Sequence, residues 1–159
     1  MRNYLITAVL LLFFQHWIIA QELKFVEEDL KINQFTEGTL TMPNSGESES
    51  LVIFIQASGP TDRNGNQPMM KNDGIKKLAH QLAQNGIASF RFDKRIFKMN
   101  ELKIKEEELR FDDFVTDVQD ILKYFEEKDS FDNLIIAGHS QGSLVGILAS
   151  RDMADAFIS

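Results

Sequence analysis

Asn133-Leu134-Ile135-Ile136-Ala137-Gly138-His139-Ser140-Gln141-Gly142-Ser143-Leu144 reads as a buried apolar strand, a Gly-x-Ser-x-Gly turn and the start of an apolar helix. A serine hydroxyl that is to attack a substrate has to stand clear of the backbone, and a sharp strand-to-helix turn lifts it there. Such a turn crowds neighbouring backbone, so the residues two before and two after the serine must be small. Gly138 and Gly142 meet that demand, and glycine tolerates unusual backbone angles. The helix that follows directs free N–H groups and its positive end at the turn. Gly-x-Ser-x-Gly by itself occurs by chance. Its setting between β-formers and an apolar helix is what gives it weight, and Ser140 is the candidate nucleophile.

Upstream, Leu51-Val52-Ile53-Phe54-Ile55 is an unbroken apolar run, as in a strand covered on both faces. Residues 73–85 place Ile75, Leu78, Ala79, Leu82 and Ala83 on one helical stripe, with Asn72 or Asp73 to cap the start and Gly86 the end. Residues 87–93 read as the next strand. Residues 98–110 are a charged, solvated connection. In residues 112–128, Phe114, Val115, Val118, Ile121, Leu122 and Phe125 form a second stripe. Leu144, Val145, Leu148 and Ala149 predict an amphipathic helix after the turn. Residues 23–43 hold two short β-patterns that suit an antiparallel hairpin at a sheet edge. The order hairpin, β, α, β, α, β, α implies an α/β protein with a mostly parallel sheet and helices on both faces.

The chain has 159 residues, enough for one domain with a core, and a formal charge of −7. The negative charge argues against nucleic acid as a partner. No cysteine is present, which removes disulfides and thiolate metal sites. No cofactor or metal is expected. Residues 1–20 carry one charge, Arg2, then the apolar run Ala8–Phe14 and a close on Ala20. This is the three-part form of a secretory signal peptide. A membrane anchor is the competing reading, but the run is short and is broken by Gln15 and His16. Cleavage after Ala20 predicts a secreted or periplasmic protein with no stable membrane anchor.

With the Gly-x-Ser-x-Gly turn in place, the chain resembles the α/β-hydrolase superfamily. Ser58-Gly59-Pro60-Thr61-Asp62-Arg63-Asn64-Gly65 and Arg91-Phe92-Asp93-Lys94-Arg95 resemble blocks of its serine-aminopeptidase-like and dienelactone-hydrolase-like members. The resemblance implies hydrolysis of a carboxylic ester or related acyl bond in a small-molecule substrate. It also implies an oxyanion hole made by the N–H of Gln141 and an N–H from the loop after the earlier strand. Gln56-Ala57-Ser58-Gly59 stands where His-Gly-x-Gly or Gly-Ser-Gly is usual, which makes the Ser58 N–H the second donor. Ala57 replaces a usual Gly, and Ile96 follows Arg95 where Gly is typical. Asp62, Arg63, Asp93 and Arg95 precede the turn and are expected to form structural ion pairs.

In this superfamily the acid and then the histidine follow the serine in the chain. No histidine follows Ser140. The three present are His16, in the leader; His80, expected to face solvent; and His139, beside Ser140 but not the family's base. Asp152 and Asp155 follow Ser140 but belong to the end of its helix. The expectation is therefore a leader at 1–20 and, at 21–159, the N-terminal part of an α/β-hydrolase domain, with acid and histidine absent and activity low. The rival expectation is a non-catalytic binding or assembly module built on the same half-fold.

Overall fold

The structure is a computed structural model that describes residues 24–151 and 153–159. The expected leader at 1–20 lies outside the described residues, as does Asp152.

The unbroken apolar run becomes strand β3 (Ser50–Ile55) at the centre of the sheet. Alternate side chains point to opposite faces. Leu51, Ile53 and Ile55 join one core with helices α2 (Phe111–Lys128) and α3 (Gln141–Ala149). Val52 and Phe54 join a second, smaller core with helix α1 (Gly74–Gln84). Both faces are covered, which is why neither face of this strand carries polar residues.

The other strands are β1 (Phe25–Lys31), β2 (Glu37–Pro43), β4 (Ala88–Asp93), β5 (Asn133–Gly138) and β6 (Ala156–Ile158). Their order across the sheet is β1-β2-β4-β3-β5-β6. β1 and β2 form the antiparallel hairpin at one edge, and β2 runs antiparallel to β4. β4, β3, β5 and β6 are mutually parallel. The carboxyl ends of these four strands therefore open on one side, where parallel sheets place their ligand-binding crevice.

Helix α1 starts with the Gly74 N–H donating to Asn72 Oδ1 at 2.9 Å. It ends at Gly86, whose φ of +85° is the left-handed conformation that glycine supplies at helix ends. Ala79 and Ala83 are its buried residues, and Leu82 and Ile75 are half-buried beside them. Leu78 differs from the expected stripe and is 47% exposed. The small Ala79 and Ala83 let the helix sit close to the sheet, so the buried strip is narrow and Leu78 falls outside it.

In α2, Val118, Ile121, Leu122 and Phe125 are buried as the periodicity predicts. Helix α3 does not have the expected polar face. Val145, Gly146 and Ala149 are buried, while Leu144 and Ile147 are each 52% exposed. It is apolar all round, the character of a helix meant to be covered on every side.

The hairpin is tied to the parallel strands by charge. Arg91 is buried and donates to Glu27 at 2.5 Å and to Thr41 Oγ1 at 3.0 Å. Arg63 bridges Asp93 at 2.7 Å and Asp29 at 3.1 Å. Arg95 grips Asp117 through two bonds, of 2.8 and 2.6 Å, and reaches Asp113 at 3.1 Å. Arg63, Asp93 and Arg95 are thus the structural pairs that the sequence predicts. Asp62 instead accepts the backbone N–H groups of Asn64 and Asn66 at 2.9 and 2.8 Å and shapes the loop after β3.

Candidate active site

Strand β5 leaves the sheet beside β3, with Gly138 in register with Ile55. The His139 N–H continues that pairing by donating to the Ile55 carbonyl at 3.0 Å. The chain then reverses at Ser140, at φ 55° and ψ −117°. L-residues seldom take such angles, and holding one there costs about 1–3 kcal/mol. Helix α3 begins at the next residue. The strand-turn-helix expected from the sequence is present, with Ser140 exposed at its tip.

Both glycines are required by close approach. A Cβ on Gly138 would lie 2.6 Å from the Gly142 carbonyl oxygen, and one on Gly142 would overlap the Ile55 carbonyl. The elbow thus rests directly on the backbone of residues 55–56, where β3 ends and its loop begins. This brings the loop that carries Ser58 beside the turn that carries Ser140 and Gln141.

A cleft of about 400 Å3 runs between loop and elbow, bordered by Gly59, Pro60, Lys94 and Gln141 and continued by Ile96, Met99, Glu106, Leu109 and Phe114. Within the described residues, the N–H groups of Ser58 and Gln141 have no protein acceptor. Gln141 owes this to its place in the first turn of α3, where helix N–H groups lack intrahelical partners. The Gln56 side chain ties the loop's start to β4, donating to the Phe92 carbonyl at 2.9 Å, while its Oε1 is buried without a partner among the described residues.

One residue at this site was not legible as such in the sequence. Lys94 follows β4, is 5% exposed, and donates to the carbonyls of Ala57, at 2.5 Å, and of Gly59. Burial pushes its ammonium down from the usual lysine range to about 8. The signal available was a lysine at the carboxyl end of a strand with both faces covered. Its acceptors lie 37 and 35 residues away, beyond any local pattern.

His80 is not solvent-facing as expected. It is half-buried, stacked on Phe25 at 4.1 Å between ring centroids and hydrogen-bonded to Glu27 at 2.9 Å. Phe25 and Glu27 lie on β1, four strands from β5, which is about 19 Å at ordinary strand spacing. Asp155 spends its carboxylate on the Leu134 N–H at 2.8 Å, at the opposite end of β5 from Ser140. His139 is exposed beside the turn. Among the described residues no histidine or carboxylate is hydrogen-bonded to the Ser140 hydroxyl.

A serine at a positive-φ turn between a parallel strand and a helix, with a loop of free N–H groups beside it, defines the class: this is the α/β-hydrolase fold. The chain belongs to the family described as serine aminopeptidase, S33, whose model matches residues 72–158, more than half of the sequence. No curated protein matches it. Among solved structures, it is similar to Est1E from Butyrivibrio proteoclasticus, with 21% identity, a TM-score of 0.56, and coverage of 82% of this chain and 49% of that one. Dienelactone hydrolase from Anabaena variabilis aligns with 20% identity and a TM-score of 0.58, over 84% of this chain and 62% of that one. A cold-adapted esterase from an Arctic intertidal metagenomic library aligns with 17% identity and a TM-score of 0.58, over 86% and 61%. The chain spans about half to three fifths of the length of these structures. At these identities they establish the fold.

Proposed function

We infer that the protein is an exported serine hydrolase of a carboxylic ester or related acyl bond, with Ser140 as nucleophile. The observation that carries this reading is the Ser140 backbone, held at φ 55° on a turn that only Gly138 and Gly142 permit. Strain of this kind gathers at functional sites. The names of two structural relatives, a dienelactone hydrolase and an esterase, support an acyl substrate.

In the proposed reaction the Ser140 hydroxyl oxygen bonds to the substrate carbonyl carbon while a base takes its proton. The carbonyl oxygen becomes an oxyanion, held by the N–H groups of Ser58 and Gln141. Collapse breaks the bond to the alcohol, which leaves with the base's proton, and Ser140 carries the acyl group. Water, deprotonated by the same base, then releases the acid and restores the serine. Among the described residues none is hydrogen-bonded to the Ser140 hydroxyl as a base would be. This reading therefore assigns the histidine and its orienting acid to polypeptide outside residues 24–159. It also assigns residues 1–20 to a cleaved leader, with a mature start near Gln21.

Fluorophosphonate labelling tests it. Residues 21–159 alone are expected to label weakly and to show little aryl-ester turnover, because an unassisted serine hydroxyl is a poor nucleophile at neutral pH. The protein completed with a portion bearing a late histidine is expected to label, and Ser140→Ala to abolish both labelling and turnover. A completed protein indifferent to Ser140→Ala would instead make the elbow a structural turn and favour the non-catalytic module.

A further inference from the structure

The geometry points to Lys94 as a positioning residue of the oxyanion hole: its ammonium, by binding the Ala57 and Gly59 carbonyls from beneath the loop, aims the Ser58 N–H at the reacting centre. The inference rests on the proposed role of Ser140 and Ser58.

A trans peptide is planar, and its C=O and N–H point in opposite directions. No cis peptide bond occurs among the described residues. The Ala57 carbonyl and the Ser58 N–H belong to one peptide unit. Lys94 is buried and holds that carbonyl inward. The N–H of the same unit is thereby turned away from the ammonium, and Ser58 and Ser140 are both exposed. The second bond, to the Gly59 carbonyl, anchors the loop one residue beyond Ser58. One anchor on the donor's own peptide unit and another just beyond it restrain the orientation of that unit.

The same contact also acts electronically. A cation on a carbonyl oxygen withdraws charge through the amide and makes the attached N–H a stronger donor, as in any chain of polarised hydrogen bonds. Lys94 lines the cleft with Gln141, so its positive charge also lies near where the oxyanion forms.

Among the described residues no carboxylate pairs with this lysine. Asp117 borders the adjoining cavity but is bound by Arg95. Asp93, its neighbour in sequence, is held by Arg63. Glu106 stands at the cleft wall and is exposed. Arg95 is the other nearby cation, and its guanidinium is occupied by Asp117 and Asp113. An ammonium buried with only carbonyl partners is costly, and burial lowers its affinity for its proton.

Two measurements test the assignment, and the first needs no turnover. In the full 15N-labelled chain the Ser58 amide resonance is expected to titrate with a midpoint near 8. In Lys94→Met that titration is expected to vanish. In the completed enzyme, Lys94→Met is expected to lower kcat by about 10²–10³, the loss typical of one oxyanion donor, with KM little changed. Lys94→Arg, charged throughout, should recover part of kcat and move the alkaline fall of the profile beyond about pH 10. A Ser58 amide indifferent to both pH and Lys94→Met overturns the inference. So does a Lys94→Met enzyme with full kcat, given that Ser140→Ala abolishes it. If Lys94→Met does not fold, an alkaline limb unchanged in Lys94→Arg overturns it equally. An enzyme indifferent to Ser140→Ala discredits the proposed nucleophile instead and leaves the amide titration to decide on Lys94.

Discussion

Gly142 shows how little freedom single positions have at the elbow. Its α-carbon lies so close to the Ile55 carbonyl that a methyl group cannot be accommodated without moving the start of α3 away from the end of β3. Gly142→Ala is expected to destabilise the fold by about 1–3 kcal/mol, in the range for overpacked interiors, as read by chemical denaturation. Gly46, whose φ is positive but whose Cβ would meet nothing, serves as the control for strain without crowding. Lys94 gives a second prediction, with a definite sign. Its folded value near 8 lies below its ordinary 10.5. Between those two pH values the unfolded chain binds more protons than the folded one, so stability rises with pH across that window. Lys94→Met lacks this contribution. The stability of the natural protein relative to the variant is therefore expected to improve from pH 8 to 10.5, measured by denaturation at each pH.

Among the elements, α2 carries the larger core and α1 the smaller. Ile121→Ala on α2 removes a fully buried side chain and is expected to cost about 2–5 kcal/mol. Leu82→Ala on α1 removes a half-buried one and should cost clearly less. Exposed Lys103→Ala should stay within about 0.5 kcal/mol. Comparable losses at all three would contradict the assigned faces. The Arg95–Asp117 pair joins the segment after β4 to α2. Burial pushes the Asp117 carboxyl up against the pull of Arg95. Asp117→Ala removes two of the Arg95 hydrogen bonds and leaves Asp113 as its remaining carboxylate partner, and is expected to cost about 1–3 kcal/mol. The strands and their covering helices were legible because burial on two faces demands unbroken apolar runs, and burial on one demands a stripe. Leu78 and Leu144 were misjudged for the complementary reason. Periodicity counts apolar residues, but how wide a stripe is covered depends on how closely the neighbouring layer approaches. At the site, the elbow was legible because its constraints fall within five residues. The Lys94 contacts were not, since they join two strand ends that meet only in the folded sheet.

At the scale of the molecule, the hairpin edge and the β6 edge differ sharply. β1 carries Glu27, Glu28 and Asp29, charges that discourage pairing with another chain. β6 is the three-residue run Ala-Phe-Ile, with Ile158 56% exposed, and the helix α3 that contacts it carries the exposed Leu144 and Ile147. Residues 24–159 in isolation are expected to self-associate, visible as light scattering that rises with concentration, and Ile158→Lys to reduce it. A concentration-independent monomer would show that this edge is protected in solution. The elbow adds a consequence for synthesis on the ribosome. Every contact that shapes it, from Ile55 and Gln56 through Lys94 to Gly142, is made among residues already translated once α3 has emerged. The nascent chain can therefore set the Ser140 turn as soon as α3 has emerged. Chaperones that meet it at that moment would find that turn already formed and, on the same helix, the exposed Leu144 and Ile147.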